Sequence, residues 1–312
     1  MVTLFDIHQF CDNLNLGQTV LLGTASRCTS ATWKKRKWRT VVSELRAPAY
    51  HRQRLLLFLL EQAGKLEKLE LQKLLFLYVQ ESNSRHYAFV PYHYGCYSFL
   101  ATDDLSLLVK RGWVAENGYH VKLRSELAGH EWANKSEERS RIRHWLAKNP
   151  MRGEPLIQEV YRRYPYYALK SKMKERLLGA EELERVCLAV HSKGETGKAL
   201  YTIGYEGLHF EEYVNTLLKN GIEVLCDVRR HPLSRKFGFS KKALASLLPK
   251  LGISYAHIPE LGIDSDSRKA LKTERDREIL FESYRKTLAR REEGLSQVFK
   301  LLEERGRIAL TC

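Results

Sequence analysis

Residues 222–239 read IEVLCDVRRHPLSRKFGF, and this stretch indicates the fold of the C-terminal part of the chain. An apolar run over 222–225 ends at Cys226 and Asp227 and passes into a loop with arginines at 229, 230 and 235. A short apolar run that ends in an acid and a basic loop is typical of a buried strand with charged residues at its tip. We therefore predict a strand over 222–228.

The same alternation of short apolar runs and helical segments continues through residues 199–312. Strands are also predicted over 199–203, 254–258 and 307–311, and helices over 210–219, 241–251, 275–290 and 295–304. Alternating strands and helices with short connections form a parallel sheet that has helices on its faces. The expected fold class is α/β, with a three-layer parallel-sheet domain at 199–312.

The ends of the predicted strands carry polar side chains. These are Tyr205, Glu206, Asp227, Arg229, Arg235, His257, Glu260, Asp264 and Cys312. Because parallel α/β sheets bind ligands at the carboxyl ends of their strands, we expect these side chains to converge on one site.

The residue types at these ends suggest roles in such a site. Glu206, Asp227 and Glu260 can supply a general base or ligands for Mg²⁺, because hard cations prefer carboxylate oxygens. Arg229 and Arg235 can bind a phosphate or another anion in bidentate fashion, with Tyr205 beside them.

His257 and Cys312 are further catalytic candidates. A histidine side chain can transfer a proton near neutral pH. The alternative for Asp227 and Arg229 is a structural ion pair that orders the loop.

The part before this domain has mostly helical patterns. We predict a basic, disordered leader at 1–49, which includes TWKKRKWR at 32–39, and a helical domain at 50–192. Asn117-Gly118 lies between two alternating runs and predicts a β-hairpin. Helices followed by a hairpin suggest a winged-helix-like module, although the helix before the hairpin contains Asp103 and Asp104 and is not a basic recognition helix.

Composition indicates the class of partner. The chain has 312 residues, a formal net charge of +15 and a pI of about 9.5, which favours a polyanion such as nucleic acid. Its six cysteines are scattered, which argues against a structural zinc site and suggests a reducing cytoplasm. No apolar run approaches the roughly 20 residues of a membrane span.

Two resemblances add to these patterns. LQKLLFLY (71–78), PYHYGCYSF (91–99), Asp104-Leu105 and Gly112-Trp113 resemble the Panacea domain, an antitoxin-like module of bacterial toxin–antitoxin and phage-related proteins. This resemblance covers about residues 50–125 and implies an antitoxin-like or regulatory role.

The second resemblance is closer. LYTIGYEG (200–207), CDVRRHPLSRKFGFSKKAL (226–244), YAHIPELG (255–262) and IALTC (308–312) resemble the bacterial domain-of-unknown-function family numbered 488. The genomic neighbourhoods of that family imply DNA metabolism or defence. Its members commonly continue past this cysteine with an acidic residue, a Cys-His-Arg segment and a closing helix, so the resemblance predicts a chain truncated after Cys312.

The sequence leaves two main hypotheses for function. The first is an enzyme that acts on nucleic acid or another phosphorylated substrate, with Mg²⁺ as a candidate cofactor. The second is a non-enzymatic regulatory or antitoxin-like module that binds nucleic acid or a protein partner. Thiol chemistry at Cys312 ranks last, because no Cys-rich anion loop with a trailing arginine is present.

Overall fold

The computed structural model describes residues 48–124, 127, 136–189, 197–264, 267 and 271–312. These residues belong to one compact unit, Arg46–Cys312. The predicted leader at 1–49, with its TWKKRKWR segment, lies outside the described residues except for 48 and 49. The domain boundaries predicted near residues 50 and 192–199 remain predictions.

The first part of this unit consists mainly of helices. They are α1 (His51–Ala63), α2 (Lys68–Glu81), α3 (Phe99–Lys110), α4 (Ser136–Lys148), α5 (Gly153–Arg163), α6 (Lys174–Leu177) and α7 (Ala180–Leu188). Five short strands lie among them: β1 (Leu66–Glu67), β2 (Val90–Tyr92), β3 (Gly95–Tyr97), β4 (Val114–Asn117) and β5 (His120–Leu123).

Local sequence explains where α1 ends and where α2 begins. Helix α1 ends at Gly64, whose φ of 79° suits a residue without a Cβ. Glu67 precedes helix α2 as its N-cap residue. Its backbone N–H donates to the Glu70 carboxylate at 2.9 Å in a capping box. Both helices bury long apolar runs, so the centre of the helical part lies between them.

The hairpin predicted at Asn117-Gly118 is confirmed. Strands β4 and β5 pair antiparallel, and Gly118 takes a φ of 60° in the turn. Strand β1, which the sequence patterns did not predict, pairs with β5 and extends the hairpin to three strands. A second hairpin, β2–β3, lies in the aromatic segment between α2 and α3.

Asp104 has a structural role in helix α3. It is buried and accepts hydrogen bonds from Gln53 Nε2 at 2.6 Å, Arg52 Nε at 2.6 Å and the Tyr87 hydroxyl at 3.0 Å. This acidic residue therefore holds α3 against α1 and does not face solvent.

The last part of the chain forms the predicted parallel sheet. Its strands are β6 (Ala199–Ile203), β7 (Val224–Asp227), β8 (Ser254–His257) and β9 (Arg307–Thr311). Its helices are α8 (Phe210–Lys219), α9 (Lys241–Leu247), α10 (Glu274–Leu288) and α11 (Glu292–Arg305). The strands are parallel in the order β6-β9-β7-β8, so the last strand lies in the middle of the sheet.

Alternation along β7 divides its side chains between the two faces of the sheet. Val224 and Cys226 pack with Ile308 of β9 and Val298 of α11 in one core cluster. Asp227 therefore points to the opposite face, because successive strand residues alternate. Tyr213 of α8 lies on that opposite face, within electrostatic reach of Asp227.

The helical part and the parallel sheet contact each other within the compact unit. Tyr166 donates from its hydroxyl to Asn215 Oδ1 at 2.9 Å, and Asn215 Nδ2 donates to the carbonyl oxygen of Phe89 at 2.7 Å. The Tyr166 side chain therefore packs against α8. Phe99 and Phe210 add an edge-to-face ring contact with centroids 5.9 Å apart. Among the described residues, no helix has the length and apolar character needed to cross a membrane.

Candidate functional site

The carboxyl ends of the four parallel strands lie side by side, as the sequence predicts. In register, Asp227 of β7 lies opposite His257 of β8 on one side and Thr311 of β9 on the other. Thr311 is in turn paired with Ile203 of β6, whose following turn contains Tyr205. The strand order therefore brings Asp227 and His257 together.

Asp227 and Arg229 form a buried ion pair. Arg229 donates from Nε to Oδ1 at 2.8 Å and from Nη2 to Oδ2 at 2.6 Å, and its backbone N–H donates to Oδ1 at 3.1 Å. Asp227 is fully buried and Arg229 is 5% exposed. Burial alone would lower the pKa of Arg229, but the hydrogen bonds and charge of Asp227 outweigh it and raise that pKa.

Tyr255 completes the surroundings of the Asp227 carboxylate. Its hydroxyl donates to Oδ2 at 2.8 Å. Burial and the neighbouring Asp227 both raise the pKa of Tyr255, so it remains a donor at neutral pH. Both oxygens of Asp227 are thus engaged by protein donors, and a cation or a substrate proton would have to displace one of them.

His257 connects the loop after β7 to helix α9. Its Nε2 lies 2.8 Å from the carbonyl oxygen of Arg229, and its Nδ1 lies 2.8 Å from Nζ of Lys241. A carbonyl oxygen only accepts and an ammonium group only donates, so this arrangement selects the tautomer with its hydrogen on Nε2. The imidazole therefore positions Lys241 beside the strand ends.

Aromatic rings cover the ion pair. Tyr205 stacks on Phe239 with ring centroids 4.6 Å apart, and the guanidinium carbon of Arg229 lies 5.2 Å from the Tyr205 ring centroid. Arg229 Nη2 also donates to the carbonyl oxygen of Phe239 at 3.0 Å, and Lys236 Nζ donates to that of Tyr205 at 3.1 Å. The turn after β6 and the loop after β7 are therefore held together.

Three buried polar atoms at this end of the sheet lack a hydrogen bond of good geometry within the described part of the chain. They are Nη1 of Arg229, the Tyr213 hydroxyl and Oγ1 of Thr311. Tyr213 is 1% exposed and Thr311 is 2% exposed. The Tyr213 and Thr311 side chains nevertheless interact with each other, and the Arg229 guanidinium interacts with the Tyr205 hydroxyl, so these atoms belong to a polar network at this end of the sheet.

Other predicted site residues lie apart from the ion pair. Glu206 and Arg235 are exposed and make no hydrogen bond or ion pair with another described residue. Glu260 is exposed, and Asp264 forms an exposed pair with Arg230 at 2.8 Å. Among the described residues, Asp227, Glu206 and Glu260 do not bring their carboxylate oxygens within 4.8 Å of one another as joint Mg²⁺ ligands would.

Cys312 is exposed and lies within electrostatic reach of Tyr284 on α10. Tyr284 donates its hydroxyl hydrogen to the carbonyl oxygen of Leu261 at 2.7 Å. Cys226 belongs to the core instead, and burial raises the pKa of its thiol to about 11. Burial therefore makes Cys226 a poor nucleophile.

Sequence reasoning missed four residues of this site: Tyr213, Phe239, Lys241 and Tyr255. A signal existed for Tyr255, because it precedes His257 by two positions and so shares its face of the sheet. Lys241 and Phe239 belong to the basic stretch, but only the packed loop shows what they contact. Tyr213 lies on the buried face of α8, where helical periodicity does not distinguish a site residue from core packing.

Comparison with known proteins gives one match. Residues 209–312 match the model of the family described as "Domain of unknown function DUF488". No curated protein and no solved structure matches the chain. The matched range contains Asp227, Arg229, Tyr255 and His257, whereas Tyr205 and Glu206 precede it. The C-terminal third of this chain, over residues 209–312, thus carries a match to the DUF488 family.

Proposed function

We propose that the carboxyl end of the parallel sheet binds the phosphate groups of nucleic acid through the basic loop at residues 228–242. The loop contains six lysines and arginines and no aspartate or glutamate. The supporting observation is that Asp227, the acid next to the loop, is neutralised internally by Arg229. Apart from Arg230, which pairs with Asp264, the exposed cations of the loop therefore keep their charge for a partner.

Individual contacts suggest how the loop would bind. Arg235 and Lys242 are exposed and have no ion-pair partner among the described residues. Lys236 and Lys241 contact a carbonyl oxygen and an imidazole nitrogen, neither of which carries negative charge. Arg229 is buried and has the role of holding the loop in shape through Asp227 and the carbonyl oxygen of Phe239. A net charge of +15 favours a polyanion over a small anion.

The test is binding to labelled DNA and RNA oligonucleotides as a function of salt. Each phosphate contact contributes about −0.7 to −0.9 to the slope of log K against log salt. The double variant Arg235→Gln/Lys242→Gln should flatten this slope by roughly 1.4–1.8. The control is Lys286→Gln/Arg290→Gln, which removes the same charge from exposed positions on and just after α10. Equal effects of the two variants would show that only net charge matters.

A catalytic role at the same site is a second proposal. It assigns Glu206, Asp227, His257 and Cys312 to chemistry on a phosphate ester. Mg²⁺ is the candidate cofactor, and it would have to displace Arg229 or Tyr255 from the Asp227 carboxylate. The observation in its favour is the fixed tautomer of His257 beside Lys241, since withdrawal of Lys241 by a bound phosphate would free Nδ1 to accept a proton. Mg²⁺-dependent cleavage that is lost in His257→Gln, with nucleic-acid affinity retained, would support it.

The alternative is a regulatory or antitoxin-like module without turnover. The winged-helix-like character proposed for residues 50–192 and the Panacea-like character proposed for about residues 50–125 favour this reading. The order α1-β1-α2-β2-β3-α3-β4-β5 and the pairing of β1 with β5 support it. It predicts salt-dependent binding of nucleic acid, or of a protein partner, with no product formed. Cleavage assays run alongside the binding assays separate the two proposals.

A further inference from the structure

A cluster of two histidines and a glutamate lies in the helical part, away from the strand ends. His51 is the first residue of α1, His86 follows α2, and Glu138 is in the first turn of α4. His51 Nδ1 lies 2.8 Å from His86 Nε2, and His51 Nε2 lies 2.9 Å from Glu138 Oε2. One ligand atom from each side chain lies within 4.8 Å of the others.

The Glu138 carboxylate is buried and incompletely paired. Its side chain is 10% exposed, compared with 31% for that of His51. Oε2 has no hydrogen-bond partner within the described residues, although His51 Nε2 is only 2.9 Å away. The contact therefore has the distance of a hydrogen bond without its direction.

An oblique approach of this kind is what ligands of one ion show. Each ligand atom points at the ion and not at its neighbour, whereas a hydrogen bond requires the oxygen to lie along the N–H direction. Ligands at about 2.0–2.1 Å from a tetrahedral ion lie roughly 3.4 Å apart. His51 would bind the ion through one ring nitrogen only, so the side chain that now contacts its other nitrogen would have to move toward the ion.

The surroundings of His86 favour its neutral form. Burial and the neighbouring His51 lower the pKa of His86, and neutral imidazole is the form that binds metals. Arg52 is a competing charge beside His86, but its guanidinium is paired with Asp104 and lies over the Tyr50 ring at 4.3 Å. His209 is engaged with the carbonyl oxygen of Arg85 at 3.0 Å.

We propose that His51, His86 and Glu138 bind one divalent transition-metal ion, with Zn²⁺ the best match to two imidazole nitrogens and one carboxylate oxygen. Three protein ligands leave a fourth position for water or an anion, as in open zinc sites. This site is separate from the proposed phosphate-binding site.

The position of the cluster suggests what the ion would do. It would join α1, α4 and the segment after α2. That segment also accepts a hydrogen bond at Arg85 from His209 and one at Phe89 from Asn215, both from the sheet part of the chain. Metal binding would therefore stiffen the segment on which the parallel-sheet part rests.

The test is metal titration of the full chain after removal of metal with a chelator. Zn²⁺ binding is measured by calorimetry and Co²⁺ binding by visible absorption, in the wild type and in His86→Gln and Glu138→Gln. The control is His120→Gln, which removes a histidine that lies 3.8 Å from Glu67 in another His–Glu pair. The comparison between variants is needed because the chain has 11 histidines and 6 cysteines.

We expect both cluster variants to lose one site or to bind at least about tenfold more weakly, while the control keeps the wild-type affinity. The Co²⁺ absorption that the wild type shows and these variants lose should contain no thiolate charge-transfer band. Zn²⁺ should also raise the Tm of the wild type and of His120→Gln but not that of Glu138→Gln, which decides the question if His86→Gln does not fold. Unchanged affinity and unchanged Tm shift in Glu138→Gln would overturn the proposal.

Discussion

The carboxylate of Glu211, on α8, accepts a hydrogen bond from the backbone N–H of Leu100 at 2.9 Å, where the sheet part meets the start of α3. The Ser98 hydroxyl donates to the same oxygen at 3.2 Å, whereas Oε2 has no hydrogen-bond partner among the described residues. Glu211 is fully buried. Burial dominates over these hydrogen bonds and raises the pKa of this carboxyl to about 7.

This pKa predicts that stability falls as pH rises from about 4.5 to about 7. The same carboxyl in the unfolded chain has its ordinary pKa of 4.5, so between these values the folded chain holds a proton that the unfolded chain has released. Below 4.5 the stabilisation is fully present, and above about 7 it is lost. Urea unfolding at pH 5 and pH 7.5 should show a loss of roughly 2–4 kcal/mol.

The variant Glu211→Gln should flatten this pH dependence. Glu212→Gln is the matched control, because its carboxylate caps α8 at the His209 N–H, 2.7 Å away, and is not buried. If the stability of Glu211→Gln depends on pH as strongly as that of the wild type, another group titrates between about pH 4.5 and pH 7.

The buried pair of Asp227 and Arg229 predicts a large cost for breaking it. Asp227→Ala leaves the Arg229 guanidinium buried without its counter-charge and should lower the free energy of unfolding by about 3–5 kcal/mol. Asp264→Ala breaks the exposed pair with Arg230 and should cost less than about 1 kcal/mol. Urea unfolding of both variants measures the difference, and equal losses would contradict the ion-pair role. Activity assays on Asp227→Ala must therefore be corrected for the folded fraction.

At Gly262 the loop after β8 lies in tight contact with the loop after β7. A Cβ at this position would lie 2.5 Å from the backbone N of Arg230 and 2.5 Å from the carbonyl oxygen of Val228. Backbone atoms cannot move aside as a flexible side chain can, so Gly262→Ala should cost about 1–3 kcal/mol. In Gly204→Ala, the control, the added Cβ meets nothing within 4 Å. A Tm equal to that of the control would contradict this packing.

Asn215 connects the parallel-sheet part to the helical part, and its loss should weaken that contact. Asn215→Ala removes the acceptor of Tyr166 and the donor to Phe89, so it leaves two partly buried groups unpaired. The expected cost is about 1–3 kcal/mol, with faster amide exchange in α8 and in the segment before β2. Thr216→Ala removes only an exposed contact to the Glu212 carbonyl oxygen and is the control. If amide exchange in α8 and before β2 is the same in both variants, Asn215 does not hold the helical part and the parallel sheet together.

Much of the α/β part could be predicted because its signals are local. The strands predicted over 199–203 and 307–311 and the helix over 210–219 have the bounds that the structure shows. The strand predicted over 222–228 is shorter, Val224–Asp227, because Val228 already belongs to the loop. The helix predicted over 241–251 ends at Leu247 and continues as a separate 3₁₀ turn, Pro249–Leu251, before Gly252 with a φ of 76°.

The candidate site was predicted only in its location. The parallel arrangement makes the strand ends converge, so Asp227 and His257 were expected to be neighbours, and they are paired in register. The engagement of Asp227 by Tyr255 depends on how the side chains pack between two strands. The exposure of Glu206 and Arg235 depends on the course of their loops, which no periodic pattern describes.

The sequence by itself determined the elements of the α/β part, the location of the charged loop and the excess of positive charge, because apolar periodicity, helix caps and composition are properties of neighbouring residues. Only the tertiary structure decided that β9 lies between β6 and β7, and that Arg229 is used internally by Asp227. It also decided that His51, His86 and Glu138 meet across separations of 35 and 52 residues. Such contacts depend on strand register and helix packing, which bring together residues that share no local pattern.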